Sequence, residues 1–319
     1  MIKTLLIRNF KSIKELLLEC KRINLFIGEP NTGKSNILEV IGFLSHLYHG
    51  KISDFIRFES LINLFYDNDL SEEITIQTDS KKVMIKFRNG KFLITASENG
   101  KESLLTSYTY SDLSQKVAID DFRKFKFYRF QKLKLFPNQR SDYLVPPHGE
   151  NLLTVILTHK KLKSVIKQIL DNFGYRLVLN PPENKIAIQK ELEDIIVAFP
   201  YHLLSETLQR IIFFLTILHS NENSIIAFEE PEAHAFPYYT KFIAERIALD
   251  NKNNQFFVST HNPYFVISIL EKSPKGDVNV SLTYLDNYQT KVKTLTQQEI
   301  EELLDLGTDF FFNIETFLE

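Results

Sequence analysis

The chain has a single cysteine, Cys20, among 319 residues. One thiol cannot close an intrachain disulfide, nor can it build a cysteine-rich zinc site. Such usage fits a reducing compartment, and the cytoplasm is the expected location. Long apolar runs are also missing. No stretch reaches the ~18 apolar residues of a membrane helix, so no membrane association is expected. The richest run, residues 211–218, is short enough for a buried helix. The opening MIKTLLIRNFKSIKE is broken by Arg8 and Lys11, and reads as a strand rather than a signal peptide. An excess of charge is absent as well, the net value being −2. That disfavours a nucleic-acid-coating protein, although a basic face can hide inside a neutral total. Repeats and low-complexity segments are lacking.

Hydrophobic residues make up 44% of the chain, enough to fill a sizeable core. Three β-like runs come first, at 2–7, 15–20 and 23–27. The third is apolar on both faces, as a central strand should be. After it, residues 34–47 carry Ile37, Leu38, Val40, Ile41, Leu44 and Leu47, the stripe of a buried helix. Runs at 73–77, 82–87 and 91–96, parted by Asp-Ser and Asn-Gly turns, predict a β-meander with a further strand near 124–130. A helical stretch is expected over 151–173, then strands at 175–179 and 185–189. From Leu203 onward helix and strand alternate: helix 205–219, strand 224–228, helix 237–249, strand 255–259, helix 262–270. Alternation of this kind predicts a mainly parallel sheet. A strand at 278–285 and a helix at 297–304 complete the chain.

Three motifs carry chemistry. Gly28-Glu29-Pro30-Asn31-Thr32-Gly33-Lys34-Ser35 matches G-x-x-x-x-G-K-[ST] between an apolar strand and an amphipathic helix. In such a loop the backbone amides and the N-terminus of the following helix hold phosphates, and Asn36 joins the candidate nucleotide-binding residues. Lys34 reaches the β- and γ-phosphates, and Ser35 offers a hydroxyl to Mg²⁺. Ser224-Ile225-Ile226-Ala227-Phe228-Glu229-Glu230-Pro231-Glu232 is an apolar strand ending in acids, the form of a Walker B segment. The first acid suits a metal or its water, and the second can polarise an attacking water. The third, Ser259-Thr260-His261-Asn262-Pro263, puts a histidine just past a strand, where ligands gather in open α/β sheets. The expected cofactors are ATP and Mg²⁺.

With this order of motifs the chain resembles the ABC-type ATPase heads of the SMC and RecF kind. The long gap between Lys34 and Glu229 matches too, since such heads insert a β-rich lobe and a helical lobe there. More narrowly, FEEPEAHAFP, STHNPYF and YLVPPHGENLLTVIL resemble the OLD-like bacterial ATPases, a group that includes components of phage-defence systems. The resemblance implies one α/β ATPase domain over 1–319, with a mixed or parallel central sheet. Its nucleotide-binding core would be 1–70 and 201–319, its β-rich insertion ~71–130 and its helical, signature-bearing lobe ~140–200.

Residue by residue, the resemblance implies Glu229 as the Mg²⁺-side acid, Glu230 as the base and His261 as the γ-phosphate sensor. Ser205 would be the signature serine that contacts ATP held by an opposite subunit. Residues 231–237 would face that subunit, and Gln131 would be the Q-loop glutamine that also reaches the metal, with Gln139 nearby as the other candidate and an ordinary surface glutamine as the alternative reading. One departure stands out: Leu204-Ser205-Glu206-Thr207 lacks the glycine that usually follows the serine, so Ser205 could equally be a helix N-cap. Arg210, nearby, is a candidate for charge supplied across the interface, or a solvated side chain.

The expected activity is slow hydrolysis of ATP to ADP and phosphate by a homodimer or higher homo-oligomer. Its expected output is control of a separate effector, a nuclease or toxin. OLD proteins carry a Toprim nuclease after the head, and only about 58 residues follow His261, so no nuclease is expected in this chain. The alternative is a RecF-like DNA-binding ATPase. Arg123-Lys124-Phe125-Lys126-Phe127-Tyr128-Arg129, with Lys132 and Lys134, would then be the DNA-binding face.

Overall fold

The computed structural model describes residues 1–98, 100–113 and 115–318. In chain order the elements begin with β1 (Thr4–Phe10), β2 (Ile13–Glu19), β3 (Ile23–Ile27), α1 (Lys34–His49) and α2 (Ile52–Phe55). Then come β4 (Ile74–Thr78), β5 (Lys82–Arg88), β6 (Lys91–Glu98), β7 (Lys101–Tyr108) and β8 (Phe125–Tyr128). The middle of the chain forms α3 (Leu152–Thr158), α4 (Lys160–Asp171), β9 (Tyr175–Asn180), β10 (Lys185–Leu192) and β11 (Ile195–Pro200). The remainder is α5 (Glu206–Ser220), β12 (Ile225–Glu229), α6 (Pro237–Ala248), β13 (Gln255–Ser259), α7 (Pro263–Lys272), β14 (Val278–Asp286), β15 (Gln289–Thr294) and α8 (Gln297–Leu306).

The central sheet has the order β15-β14-β3-β13-β12-β8. Its first strand, β15, is antiparallel to β14, and the other five run parallel. Both faces are covered, as parallel strands require. Along β3, Ile23, Leu25 and Ile27 enter one core while Phe26 enters the other. Along β12, Ile226 and Phe228 face the first core, Ile225 and Ala227 the second. This is the two-residue period of a strand, with apolar side chains on both sides. The first core lies under α3–α7. The second is closed by α1 and by an antiparallel sheet of order β2-β1-β4-β5-β6-β7. Within α1, Ile37, Leu38, Val40, Ile41, Leu44 and Leu47 are all buried. Each such side chain contributes roughly 1.5–3 kcal/mol relative to exposure, so tertiary packing rather than propensity holds the helix.

Three features differ from the sequence reading. The strand expected near 124–130 forms as β8, but it pairs in parallel with β12 instead of extending the meander. Its partners bury it on both faces, which local sequence does not record. The helix expected over 151–173 breaks into α3 and α4 at His159, whose φ of −101° and ψ of 95° are extended. Strands β7, β11 and β15 were not anticipated. β11 is a short apolar run, Ile195 to Phe199, that is nevertheless almost wholly exposed, and β15 has Val292 as its one apolar residue and so lacks the apolar run that marks a buried strand.

Candidate functional site

Four neighbouring parallel strands, β3, β13, β12 and β8, end at the same edge of the sheet. Their register places Glu229 beside Ser259, Ser259 beside Phe26, and Phe228 beside Tyr128. The segments that follow these ends therefore converge, although they lie far apart in sequence. The segments after β3, β12 and β13 line, together with Ser12 and Arg57, an open cleft of about 460 Å³ whose walls include Asn31, Lys34, Ser35, Asn36, Glu230 and His261.

The loop after β3 is shaped by its two glycines. Gly28 has φ +147° and Gly33 φ +93°. A Cβ at Gly33 would lie 1.9 Å from Thr290 Oγ1, and one at Gly28 would lie 2.3 Å from the Thr283 carbonyl oxygen. Only glycine fits both the torsions and the space. Gly33 caps α1 without a side-chain hydrogen bond, so the first amides of the helix remain free for an anion. Glu29, Pro30 and Asn31 are exposed at the tip of the loop. Thr32 is buried, and its hydroxyl bonds to the Glu29 carbonyl at 2.8 Å and to Thr283 Oγ1 at 2.7 Å.

Lys34 folds back over its own loop. Its Nζ donates to the carbonyls of Gly28 (2.8 Å) and Glu29 (2.6 Å). Burial pushes its ammonium down to about 8, against the opposing pull of Glu230 and Glu29. Asn36 Nδ2 donates to Ser12 Oγ at 2.7 Å, joining the loop helix to the β1–β2 turn.

Glu229 and Ser35 meet. The Ser35 hydroxyl bonds to the Glu229 carboxylate, whose other neighbours are Arg129 Nε (3.1 Å) and Arg57 Nη2 (3.1 Å). Burial would raise this carboxyl, but Ser35 and the two guanidiniums outweigh it and hold it below the ordinary value. Both arginines also reach Glu39, at 2.7 Å from Arg57 Nε and 3.5 Å from Arg129 Nη2, and Lys11 bonds the same carboxylate. Glu39 is fully buried on α1, so the network ties the loop helix to the end of β12. Ser35 and Glu229 are hard oxygen donors converging on one place, which suits Mg²⁺. Among the described residues no group of three or more His, Cys, Asp or Glu could hold a metal. A metal here would take its other ligands from nucleotide phosphates and water.

Glu230 has φ +44° and turns out of the strand. Its N–H donates to the Ser259 carbonyl (3.1 Å), and its carbonyl accepts from Arg210 Nη2 (2.9 Å). Its carboxylate Oε1 lies 3.5 Å from His261 Nε2. Burial holds the His261 imidazole below its ordinary value, with Lys34 acting in the same sense and Glu230 against. This favours the uncharged ring at neutral pH.

Other candidates lie elsewhere. Gln131 is exposed in the segment after β8 and does not line the cleft; the side chain of that segment which reaches Glu229 is Arg129. Ser205 caps α5, its Oγ accepting from the Leu208 N–H at 3.4 Å. It is exposed and away from its own chain's cleft. Arg210 is neither solvated nor free to reach across an interface: it is mostly buried against Phe130, Phe214 and the Glu230 carbonyl. The basic segment 123–129 is split, with Arg123 and Lys124 exposed and the rest turned inward. Lys126 is buried with its Nζ on Asn221 Oδ1 (2.6 Å), Arg123 pairs with Asp142, and Arg129 is in the site. Arg57 and Glu39 carry no signal in the sequence because each is a single charged residue without a motif around it, and Arg129 is masked there by the basic segment it closes.

Fold and site together define a P-loop ATPase head of the ABC type. A family model described as "AAA domain, putative AbiEii toxin, Type IV TA system" matches residues 23–268, and the chain belongs to that family. It is 23% identical over 321 residues to an ATP/GTP phosphatase of Helicobacter pylori, an alignment covering 83% of this chain and 86% of the relative. Among solved structures it is similar to an SMC head bound to the C-winged helix domain of ScpA. That match has a TM-score of 0.59 at 16% identity, covering 94% of this chain and 99% of that one. It is also similar to an SMC head with an extended coiled coil bound to the C-terminal domain of ScpA, derived from Pyrococcus furiosus. There the TM-score is 0.58 at 15% identity, with 95% and 98% covered. The chain is an ATPase. Among the described residues no helix is long and apolar enough to cross a membrane.

Proposed function

We propose that this chain is an OLD-like ATPase that closes on ATP with a second copy of itself. Its cycle of closing and opening controls a separate effector, a nuclease or toxin of an anti-phage defence system. The observation that carries this reading is the exposure of the hydrolytic pair. The Glu230 and His261 side chains remain 46% and 41% exposed at the mouth of the cleft. Hydrolysis needs a site that excludes bulk water, and one chain covers only half of this one. Exposed Leu203, Phe236 and Tyr238 stand beside Ser205 and residues 231–237, where a second copy would seat. The family description includes a toxin and a toxin–antitoxin system, and both solved heads are bound to a partner protein's domain. These support a chain that acts through a partner.

Within the site, Lys34 leaves its loop carbonyls for the β- and γ-phosphates. The free amides of Gly33 and the first turn of α1 bind the same phosphates. Ser35 and Glu229 would hold Mg²⁺, which would neutralise charge on the phosphate oxygens. Glu230 orients and polarises the attacking water, and neutral His261 hydrogen-bonds to the γ-phosphate. Ser205 is presented to the ATP of the other copy.

Size-exclusion chromatography with light scattering tests the reading on wild type and Glu230→Gln, with and without ATP–Mg²⁺. A dimer trapped in the variant by ATP is expected. A monomer under every condition, together with a pull-down that finds no partner, would overturn it. A salt-dependent affinity for DNA, lost on neutralising exposed Lys124, Lys132 and Lys134, would replace it with the RecF-like alternative.

A further inference from the structure

Glu232 is the third acid of Glu229-Glu230-Pro231-Glu232, and the cleft chemistry does not use it. Its side chain is buried, with 6% exposure. The Thr260 hydroxyl donates to Glu232 Oε1, and the His261 backbone N–H donates to the same oxygen at 3.3 Å. Thr260 Oγ1 in turn accepts from the Asn262 N–H at 3.0 Å. One carboxyl oxygen thus gathers the backbone on both sides of His261. Its other oxygen, Oε2, is buried with no hydrogen-bond partner.

Buried carboxyls are costly, and a half-satisfied one more so. An apolar residue at this position would pack without that cost. The carboxyl is connected to something the apolar residue would lose. Glu232 belongs to the turn that leaves β12 and carries Glu230. Within it the Ala233 N–H donates to the Glu230 carbonyl at 3.1 Å, and the Ala235 N–H to the Glu232 carbonyl at 3.0 Å. Arg210 clamps the same Glu230 carbonyl from α5. Glu230 and His261 come from different strand ends, and their side chains are 3.5 Å apart. Beside the strand pairing and the Glu230 N–H bond to the Ser259 carbonyl, Glu232 is a side-chain link between the two backbones that sets this separation.

We propose that Glu232 is a positioning residue that holds His261 against Glu230 and passes movements of the 230–236 turn to the histidine. This rests on the reading of Glu230 and His261 as the hydrolytic pair. If the 231–237 turn meets a second copy, its displacement reaches His261 through Glu232 and Thr260 rather than through solvent. Burial, which pushes the Glu232 carboxyl up to about 7, keeps it close to the uncharged form that such a site tolerates.

The test compares Glu232→Leu, which removes the acceptor, with Glu232→Gln, which keeps a carbonyl oxygen for both donors. Steady-state hydrolysis, affinity for a fluorescent ATP analogue and the His261 imidazole resonances are measured on the full chain. For Glu232→Leu, kcat is expected to fall by at least about tenfold with nucleotide affinity within about twofold, since small misplacements of reacting groups cost that much. The His261 resonances shift in the same variant. Glu232→Gln restores kcat to within about threefold and returns the resonances. Thr260→Val and Thr260→Ser repeat the comparison from the other end of the bond, should the leucine variant fail to fold. Unchanged His261 resonances in Glu232→Leu, or a glutamine variant no better than leucine, would overturn the proposal. His261→Ala separates the two readings. If it leaves kcat intact the hydrolytic pair is wrong, while a shifted His261 resonance in Glu232→Leu still shows the positioning.

Discussion

Glu230 Oε1 and His261 Nε2 stand 3.5 Å apart, brought together from the ends of two adjacent strands at the mouth of the phosphate-binding cleft. Neither group is held by the other alone: backbone bonds to Ser259 and Arg210 fix Glu230, and the Glu232 carboxyl fixes the backbone of His261. A pair built this way should act as a unit. Glu230→Gln is expected to lower ATP hydrolysis by about 10²–10⁴-fold while leaving nucleotide affinity within about twofold. His261→Ala should cost a similar factor, and the double variant little more than either single one. Phosphate release and fluorescent nucleotide titration check this. Additive losses would show two independent groups.

Nucleotide affinity should depend on pH through Lys34. Burial lowers its ammonium to about 8 in the free protein. Phosphates bind the charged form, so above pH 8 binding must draw in a proton. ATP affinity is expected to fall by up to about tenfold per pH unit beyond 8. Isothermal titration between pH 7 and 9.5 measures the slope, and Lys34→Ala should weaken binding and flatten it.

The buried Glu39 should be the most costly acid to remove. It is fully buried and bonded by Lys11, Arg57 and Arg129. Glu39→Ala leaves three cations facing an empty site and should destabilise the fold by about 3–5 kcal/mol. Arg57→Ala, removing a half-exposed side chain, should cost about 1 kcal/mol or less. Chemical denaturation of both variants gives the comparison.

Glu232 predicts a pH dependence of stability. Its carboxyl is raised from 4.5 to about 7 in the folded protein, by burial above all. Between these values the folded chain holds a proton that the unfolded chain has lost. Its contribution is therefore complete below about pH 4.5 and is lost as pH rises through 7, a change of roughly 3 kcal/mol. Glu232→Gln removes this titration. Relative to wild type, the variant should gain stability between pH 5 and pH 8, read from urea unfolding at each pH.

Gly33 should tolerate no side chain. Gly33→Ala meets Thr290 Oγ1 and a positive φ at once. Thr290→Ala in the same chain relieves only the clash, so about 1–2 kcal/mol of backbone strain should persist in thermal unfolding.

The features legible in the sequence were those whose physics is local. The apolar run of β3 running into Gly28–Ser35, the acids closing β12 and the histidine after β13 each announce themselves within a few residues. The Ser205 N-cap was legible for the same reason, since its acceptor serves Leu208 three residues on. Arg129 was misread within a basic segment, and Gln131 was preferred to it. The difference is made by β8 joining β12, a pairing across about a hundred residues. Lys126 shows the same limit: it looks like part of a wet basic face until β8 is buried on both sides.

The sequence by itself determined the phosphate loop. Contiguous residues create its left-handed glycines, its free helix amides and its lysine. It also determined that acids and a histidine would stand at strand ends. Only the tertiary structure decided which of these groups meet. The order β3-β13-β12-β8 brings Ser35, Glu229, His261 and Arg129 to one edge, and the buried carboxyls of Glu39 and Glu232 then lock the pieces together. Strand order is set by how two cores are filled from both faces of the sheet, a property of the whole chain that no short segment contains.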